Sequence, residues 1–403
     1  MASTLRERRP RRHNLERRRM LRERPIEVWE NVIDQLQDDK DALLACARVC
    51  RGWTARSRHH LRKWLVLRRP EQVARLAKLV RTGSWEVRSC RTVEIRHRSS
   101  ETSSSRTLGL FALMFAGKMP HLEELHILRG GEWKPGEMHL DVFLHLSAFA
   151  SVTLLDLLNV TFPSVQTFGR VLSALPALTA LSSHRTEFMA HDLRLGAFLR
   201  HPRRLATLDL KMDNLPAMHD VNGLLVQTEM ASTLKEIRAS WPIALRDLHQ
   251  SGIPALLSSA GASLHSLDLR LSGHTLASGD PSSEIDLNKL VNLQRTRFDI
   301  EGFAVDWIPW LCHQLARYPT ASTTLRTFTL MFYLEPPINA DYAGFNVTTC
   351  QQLDDALTIS PFMYLEEVLL IFEFINWTVA ASKKFTRLIP TRFPKLDARG
   401  ILR

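Results

Sequence analysis

The sequence predicts an α/β chain: a short helical module near the N-terminus, then an irregular, curved solenoid of parallel strands and helices. Three observations carry this. Hydrophobic residues are 45% of the 403 and charged residues 24%, enough apolar material for a sizeable core. Short aliphatic segments of the form Leu-x-x-Leu-x-Leu/Ile return at spacings close to multiples of about 28–29 residues. Proline stands shortly before several of those segments, where it ends a helix and pushes its predecessor towards extended geometry.

The composition also excludes classes. No apolar run approaches the ~20 residues needed to span a bilayer. No charged start followed by an apolar stretch marks a secretory signal. The five cysteines, Cys46, Cys50, Cys90, Cys312 and Cys350, are odd in number and contain no Cys-x-x-Cys pair. A reducing compartment, cytoplasm or nucleus, is expected. The sequons at Asn159, Asn346 and Asn376 then read as chance matches.

The first region, residues 1–23, is a basic arm. Together with Arg24 it holds ten arginines and three glutamates, +7 of the net +11, so the rest of the chain carries only +4. Its apolar content is too small to offset the entropy of ordering, so disorder is expected. An arginine-rich arm suits nuclear import or phosphate contacts. No aromatic residue stands between the arginines to stack on a base, and no groove-reading motif follows. Neither nucleic acid nor a membrane is the expected partner.

Residues 24–62 are the helical module. Pro25 suits the first turn of a helix, and Glu27 favours the same turn through the helix dipole. Val28, Trp29, Val32, Ile33 and Leu36 follow at helical spacing. The run Gln37-Asp38-Asp39-Lys40-Asp41 interrupts the pattern, with Asp41 placed to cap the next helix. Leu43, Leu44, Ala47, Val49, Cys50 and Trp53 make a second apolar face, with Gly52 near the end of that helix. Trp29, Val49 and Trp53 cannot all face one core of ~40 residues. Cys46 and Cys50 lie four apart, with His59 and His60 beyond. A metal site would need four converging ligands, so buried thiols on an apolar face are the expectation.

The segment resembles the F-box, the adaptor-binding motif of ubiquitin-ligase receptor subunits. That family's pattern begins Leu-Pro-x-Glu, continues with aliphatics along one helix and ends in Val-Cys-x-x-Trp. This chain has Arg24-Pro25-Ile26-Glu27, then Val28, Val32, Ile33 and Leu36, then Leu43-Leu44, Val49-Cys50 and Trp53. Arg24 stands where the family has leucine. The stretch LLACARVCRGWTARSRHHL is similar to the F-box families of basidiomycete fungi. The resemblance implies docking on a Skp-type adaptor, itself carried by a cullin scaffold. Carried over by residue, it implies adaptor contacts at Pro25, Val28, Val32, Leu36, Leu44, Val49 and Trp53, tryptophan being a common interface anchor.

Residues 63–403 are the repeat body. Strict matches to the strand template are Leu122-Leu125-Ile127, Leu205-Leu208-Leu210 and Leu264-Leu267-Leu269. Looser ones are Cys90-Val93-Ile95, Val152-Leu155-Leu157, Leu178-Leu181, Leu234-Ile237-Ala239, Leu293–Phe298, Leu325-Phe328-Leu330 and Leu365-Val368-Leu370. Pro120, Pro176, Pro202 and Pro361 precede such segments, and Pro394 precedes a further candidate at Leu396. Residues 108–118, 166–175, 221–231 and 308–318 read as helices between strands. A unit of roughly 30 residues with this strand resembles the leucine-rich repeat. The family's Asn or Cys after the third leucine is missing: those positions hold Gly130, Asp213 and Ser272. Candidate recognition loops are 97–106, which is serine-rich and open to phosphorylation, 128–138 with Trp133, 271–285 and 334–346.

No Walker loop, Gly-x-Gly-x-x-Gly, His-Glu-x-x-His or Gly-x-Ser-x-Gly occurs, and the sixteen histidines show no ligand spacing. No enzyme activity, catalytic residue, metal or cofactor is expected. The functional expectation is a substrate-recognition subunit of an SCF-type (Skp–cullin–F-box) E3 ubiquitin ligase. It would dock through the module and hold an unknown protein substrate with the repeats. The alternative is a non-catalytic repeat scaffold without a ubiquitin role, in which the module only caps the solenoid.

Overall fold

The computed structural model describes residues 25–97, 104–137, 139–192, 204–241, 248–272, 285–301, 304–318, 324–334, 347–359, 362–375 and 378–403. The basic arm 1–23 and most of the loops 97–106, 271–285 and 334–346 lie outside them.

Among the described residues three helices come first: α1 Ile26–Gln35, α2 Lys40–Cys46 and α3 Arg51–Leu61. Pro25 sits one residue ahead of α1, at its cap. Asp39, not Asp41, caps α2, its carboxylate accepting from the Ala42 amide at 2.9 Å. The second apolar face is two helices and not one, because Cys50 adopts extended geometry between them. Gly52 therefore opens α3, and a Cβ there would meet Ile26 Cδ1 at 2.9 Å.

Among the described residues the body is one sheet of eleven strands, all parallel, each paired with its neighbours in sequence. The strands are β1 Trp64–Leu67, β2 Thr92–Arg96, β3 Glu124–Glu132, β4 Leu154–Phe162, β5 Ala180–Phe188 and β6 Thr207–Lys211. They continue as β7 Glu236–Trp241, β8 Ser266–Ser272, β9 Arg295–Glu301, β10 Thr327–Leu334 and β11 Glu367–Phe374. Between them lie α4 Pro70–Arg81, α5 Ser104–Phe115, α6 Asp141–Leu146, α7 Val165–Ala174, α8 Leu215–Gln227, α9 Ile253–Ala260, α10 Ala304–Ala316 and α11 Val347–Thr358. Helices α12 Val379–Arg392 and α13 Pro394–Ala398 follow β11.

Ten of the eleven strands sit on segments named from the sequence. β1 was missing from that reading, because Leu61 and Trp64 look like the continuation of a helix. Leu396 is a correction in the other direction: it is buried in α13, whose first amides, at Lys395 and Leu396, donate to the Asp354 carboxylate. Helices α5, α8 and α10 begin four to six residues earlier than their apolar runs.

Alternation places one side of each strand inward. Val93 and Ile95, Leu125 and Ile127, Leu155 and Leu157, Leu267 and Leu269, Phe328 and Leu330 are buried. They join the helices in one continuous core running from Leu67 to Leu396. The missing Asn has a replacement on the other side of the strand. Ser151, Thr233, Ser263 and Thr324 each immediately precede the first apolar residue of a repeat. Each donates its hydroxyl to the carbonyl of that residue's counterpart one repeat earlier, at Leu122, Leu205, Leu234 and Leu293 (2.6–2.9 Å). Backbone carbonyls between repeats are thereby satisfied.

Strands β3–β5 are longer than β6, nine residues against five. Each carries a left-handed residue, Arg129, Asn159 or Arg185, where the chain bends. Gly130 is required at this corner, since a Cβ would meet Val160 Cγ2 at 2.7 Å and Ser104 Oγ at 2.9 Å.

Candidate functional site

Two surfaces distinguish themselves. The first is the outer side of α1–α3. Its interior is small: Ile33 and Leu43 are buried, Trp29 packs on Trp53 with ring centroids 5.0 Å apart, and none of these residues belongs to the continuous core of the body. A polar lock joins α1 to α3. Arg56 donates to both Asp34 oxygens at 2.5 and 2.6 Å, and His60 Nε2 lies 2.7 Å from the same carboxylate. The hydrogen bonds from Arg56 and then His60 hold the Asp34 carboxyl well below the usual carboxylate range.

With the interior filled, the remaining apolar side chains point out. Ile26 is 43% exposed, Val28 38%, Val32 46%, Leu44 39% and Val49 58%. Pro25 is exposed too, while Leu36 and Trp53 are half-buried. Val28 and Val32 are one turn apart on α1. Trp53 differs from the others: its ring contact is to Trp29. The thiols expected to be buried here are not. Cys50, in extended geometry between the two helices, is exposed, and Cys46, at the end of α2, is half-exposed.

The second surface is the open face of the sheet, formed by the residues between the buried ones. It was not read from the sequence, although the signal is present: the x positions of successive Leu-x-x-Leu-x-Leu segments fall in register. The middle row is Glu94, His126, Asp156, Ser182, Asp209, Arg238, Asp268, Arg297, Thr329 and Leu369. From β2 to β6 this face is a connected polar chain. Thr92 donates to Glu124 (3.1 Å), and His126 bridges Glu124 (3.1 Å) and Asp156 (3.0 Å). Ser182 donates to the other Asp156 oxygen (2.8 Å), and His184 Nε2 lies 3.5 Å from Asp209. Burial alone would lower the His126 pKa, but its two carboxylate partners outweigh that and hold it at about 9.

Ser182, His184 and Asp209 have the residue types of a hydrolase relay but not its geometry. The Ser182 hydroxyl and the Asp209 carboxylate both face Nε2 of His184, and Ser182 already donates to Asp156. A relay needs the two partners on opposite ring nitrogens. Burial pushes the Cys90 and Cys350 thiols up to about 12, away from nucleophilic use. Among the described residues no group of three or more His, Cys, Asp or Glu is placed to hold a metal ion. Nor is any helix long and apolar enough to cross a membrane.

Trp133, open in the sequence as a contact or an inward residue, is inward. It is 1% exposed, donates from Nε1 to Ser104 Oγ at 2.7 Å and packs on Phe162. Ser104 and Ser105 of the serine-rich loop are fully buried at the start of α5, which removes them as phosphorylation sites.

No protein-family model matches this sequence, and no curated protein matches it.

Proposed function

We propose that the chain is the substrate-receptor subunit of an SCF-type ubiquitin ligase. In this reading α1–α3 are an F-box that docks on a Skp adaptor carried by a cullin, and the open sheet face holds a protein substrate. The observation that supports it most is the outward set Val28, Val32, Leu44 and Val49 on a module whose interior is already filled. Apolar side chains displayed by a folded unit suit a protein contact. The chain itself makes and breaks no bond. Tethering raises the effective concentration of substrate lysines around the ubiquitin thioester. The site of action is the cytoplasm or nucleus.

The test is co-expression of the full chain with a fungal Skp adaptor, scored by co-purification. The wild type is expected at about one to one. Val32→Glu/Val49→Glu should abolish capture while circular dichroism and melting stay as in the wild type. These two are better probes than Trp53, whose loss would also remove the packing on Trp29.

A second reading is a repeat scaffold with α1–α3 as an end cap. Its support is that α3 leads directly into the edge strand β1 and that Lys40 of α2 lies 3.9 Å from Glu94 of β2. It takes over if the folded wild type captures no adaptor and Trp53→Ala lowers the melting of the whole body.

A further inference from the structure

We infer that Lys63 and Lys40 are positioning residues. They fix the angle between α1–α3 and the sheet, so that the outward aliphatic set and the open face keep one separation. The use of that angle rests on the reading that both surfaces carry partners, and the geometry stands without it.

Packing does not set the angle. Among the described elements α1–α3 pack chiefly on one another, and none of their side chains belongs to the continuous core of the body. Two units joined in this way move relative to each other unless something else holds them.

Lys63 is the first tie. It stands between α3 and β1, and its polar groups go to three different elements. Its amide donates to the His60 carbonyl (3.0 Å), closing the last turn of α3. Its carbonyl accepts from the Arg91 and Thr92 amides (2.8 and 3.0 Å). That is the first rung of a ladder that recurs at Arg91, Glu123 and Thr153 and runs on through Arg326. Helix hydrogen bonding thus runs up to the residue at which the sheet begins, which leaves the connection little freedom to turn. The Lys63 ammonium donates to Gln37 Oε1 (3.1 Å), in the turn that joins α1 to α2.

Lys40 is the second tie. It opens α2, three residues after Gln37, and its ammonium lies 3.9 Å from Glu94 of β2. Glu94 is an outward residue of the sheet and is itself held by Arg96 at 2.5 Å. The turn between α1 and α2 is therefore attached at two places, one just before β1 and one within β2. Two attachments oppose rotation of the module about its one covalent joint. Each exposed tie is weak alone. The motion left to a joint of this kind is bending at the end of α3, and a small bias suppresses it.

The test is a distance distribution by double electron–electron resonance on the full chain. One spin label goes on Cys50, which is exposed, and the other on Glu187→Cys, an exposed position of β5. Cys46→Ser and Cys312→Ser remove the half-exposed thiols, and Cys90 and Cys350 are buried. With both lysines in place one narrow distribution is expected. Lys40→Ala/Lys63→Ala should widen it about twofold or more, with melting unchanged. Gln37→Ala removes the Lys63 contact from its other side and should widen it as well. The inference is overturned if the distribution is already broad with both lysines in place, or if neither variant widens it. Adaptor capture reads the outward set of α1–α3 and fails separately. A fixed distance that loosens in the variants, without capture, keeps this inference and removes the ligase reading. Capture with a distance indifferent to both lysines does the reverse.

Discussion

Residues 26–61 and the repeat body use the same aliphatic side chains and point them in opposite directions. In β2–β5 the inward positions of the alternation are mostly aliphatic and go under the helices, Ser183 and Thr186 of β5 being buried exceptions, and most of the outward positions are polar. In residues 26–61 a tryptophan pair, Ile33, Leu43 and an ion-paired carboxylate fill the interior, and five aliphatic residues stay outside. The body is stabilised by area, since each repeat covers its neighbour. The module has too few residues for that and relies on a specific polar contact. The difference teaches that a helical apolar stripe is not by itself a core stripe: the number of elements available to cover it decides.

Substitutions can break or sharpen this contrast. The largest effect is expected in the body. Phe328, fully buried in β10, should cost about 3–5 kcal/mol as Phe328→Ala, measured by urea unfolding. In the module the large effect should come from a polar residue. Asp34→Asn loses the charge that Arg56 and His60 hold, so amide exchange should accelerate across 26–61 and not in β3–β10. Because the Asp34 pKa is lowered by folding, this stabilisation is present above the ordinary carboxylate range and is lost as pH falls below it. The body carries a contribution of opposite sign. The pKa of His126 is raised, so its stabilisation is full below the ordinary imidazole range and disappears as pH rises through about 9. The melting difference between wild type and His126→Gln should therefore shrink between pH 6 and pH 10.

Smaller effects follow at the repeat junctions and the module surface. Ser263→Ala removes one hydroxyl bond to a backbone carbonyl and should cost about 1 kcal/mol. Val32→Glu, on the exposed side of α1, should change stability by less than about 0.5 kcal/mol in either direction. A large loss there would mean that the outward face is covered by the body after all.

Much of this architecture was legible because strand repeats are short-range patterns. Leu264-Leu267-Leu269 announces a strand with two inward residues, and the spacing announces its neighbours. The first strand was not legible, since Trp-Leu-Val-Leu at 64–67 follows a helix without a breaker. The cap at Asp39 was missed because two aspartates compete and only three-dimensional closure selects one. The hydroxyl bonds at Ser151, Thr233, Ser263 and Thr324 were missed because the expected Asn lies after the strand, and the hydroxyls lie before it. The polar sheet face was hidden for a different reason. Its residues look like spacers until the register stacks His126 against Asp156 and Arg297 beside Asp268.

The strict order of the sheet bears on how the chain assembles during synthesis. Equivalent strand positions, from Trp64 through Thr92 and Glu124 to Glu367, return every 26–32 residues, with one interval of 40 at the end. No strand waits for a partner made much later. At about 5–20 residues per second, a ribosome delivers one repeat every few seconds, far longer than the microseconds local helices and turns need to form. Each new strand meets an edge already in place, and the growing edge at any moment belongs to the most recently made repeat.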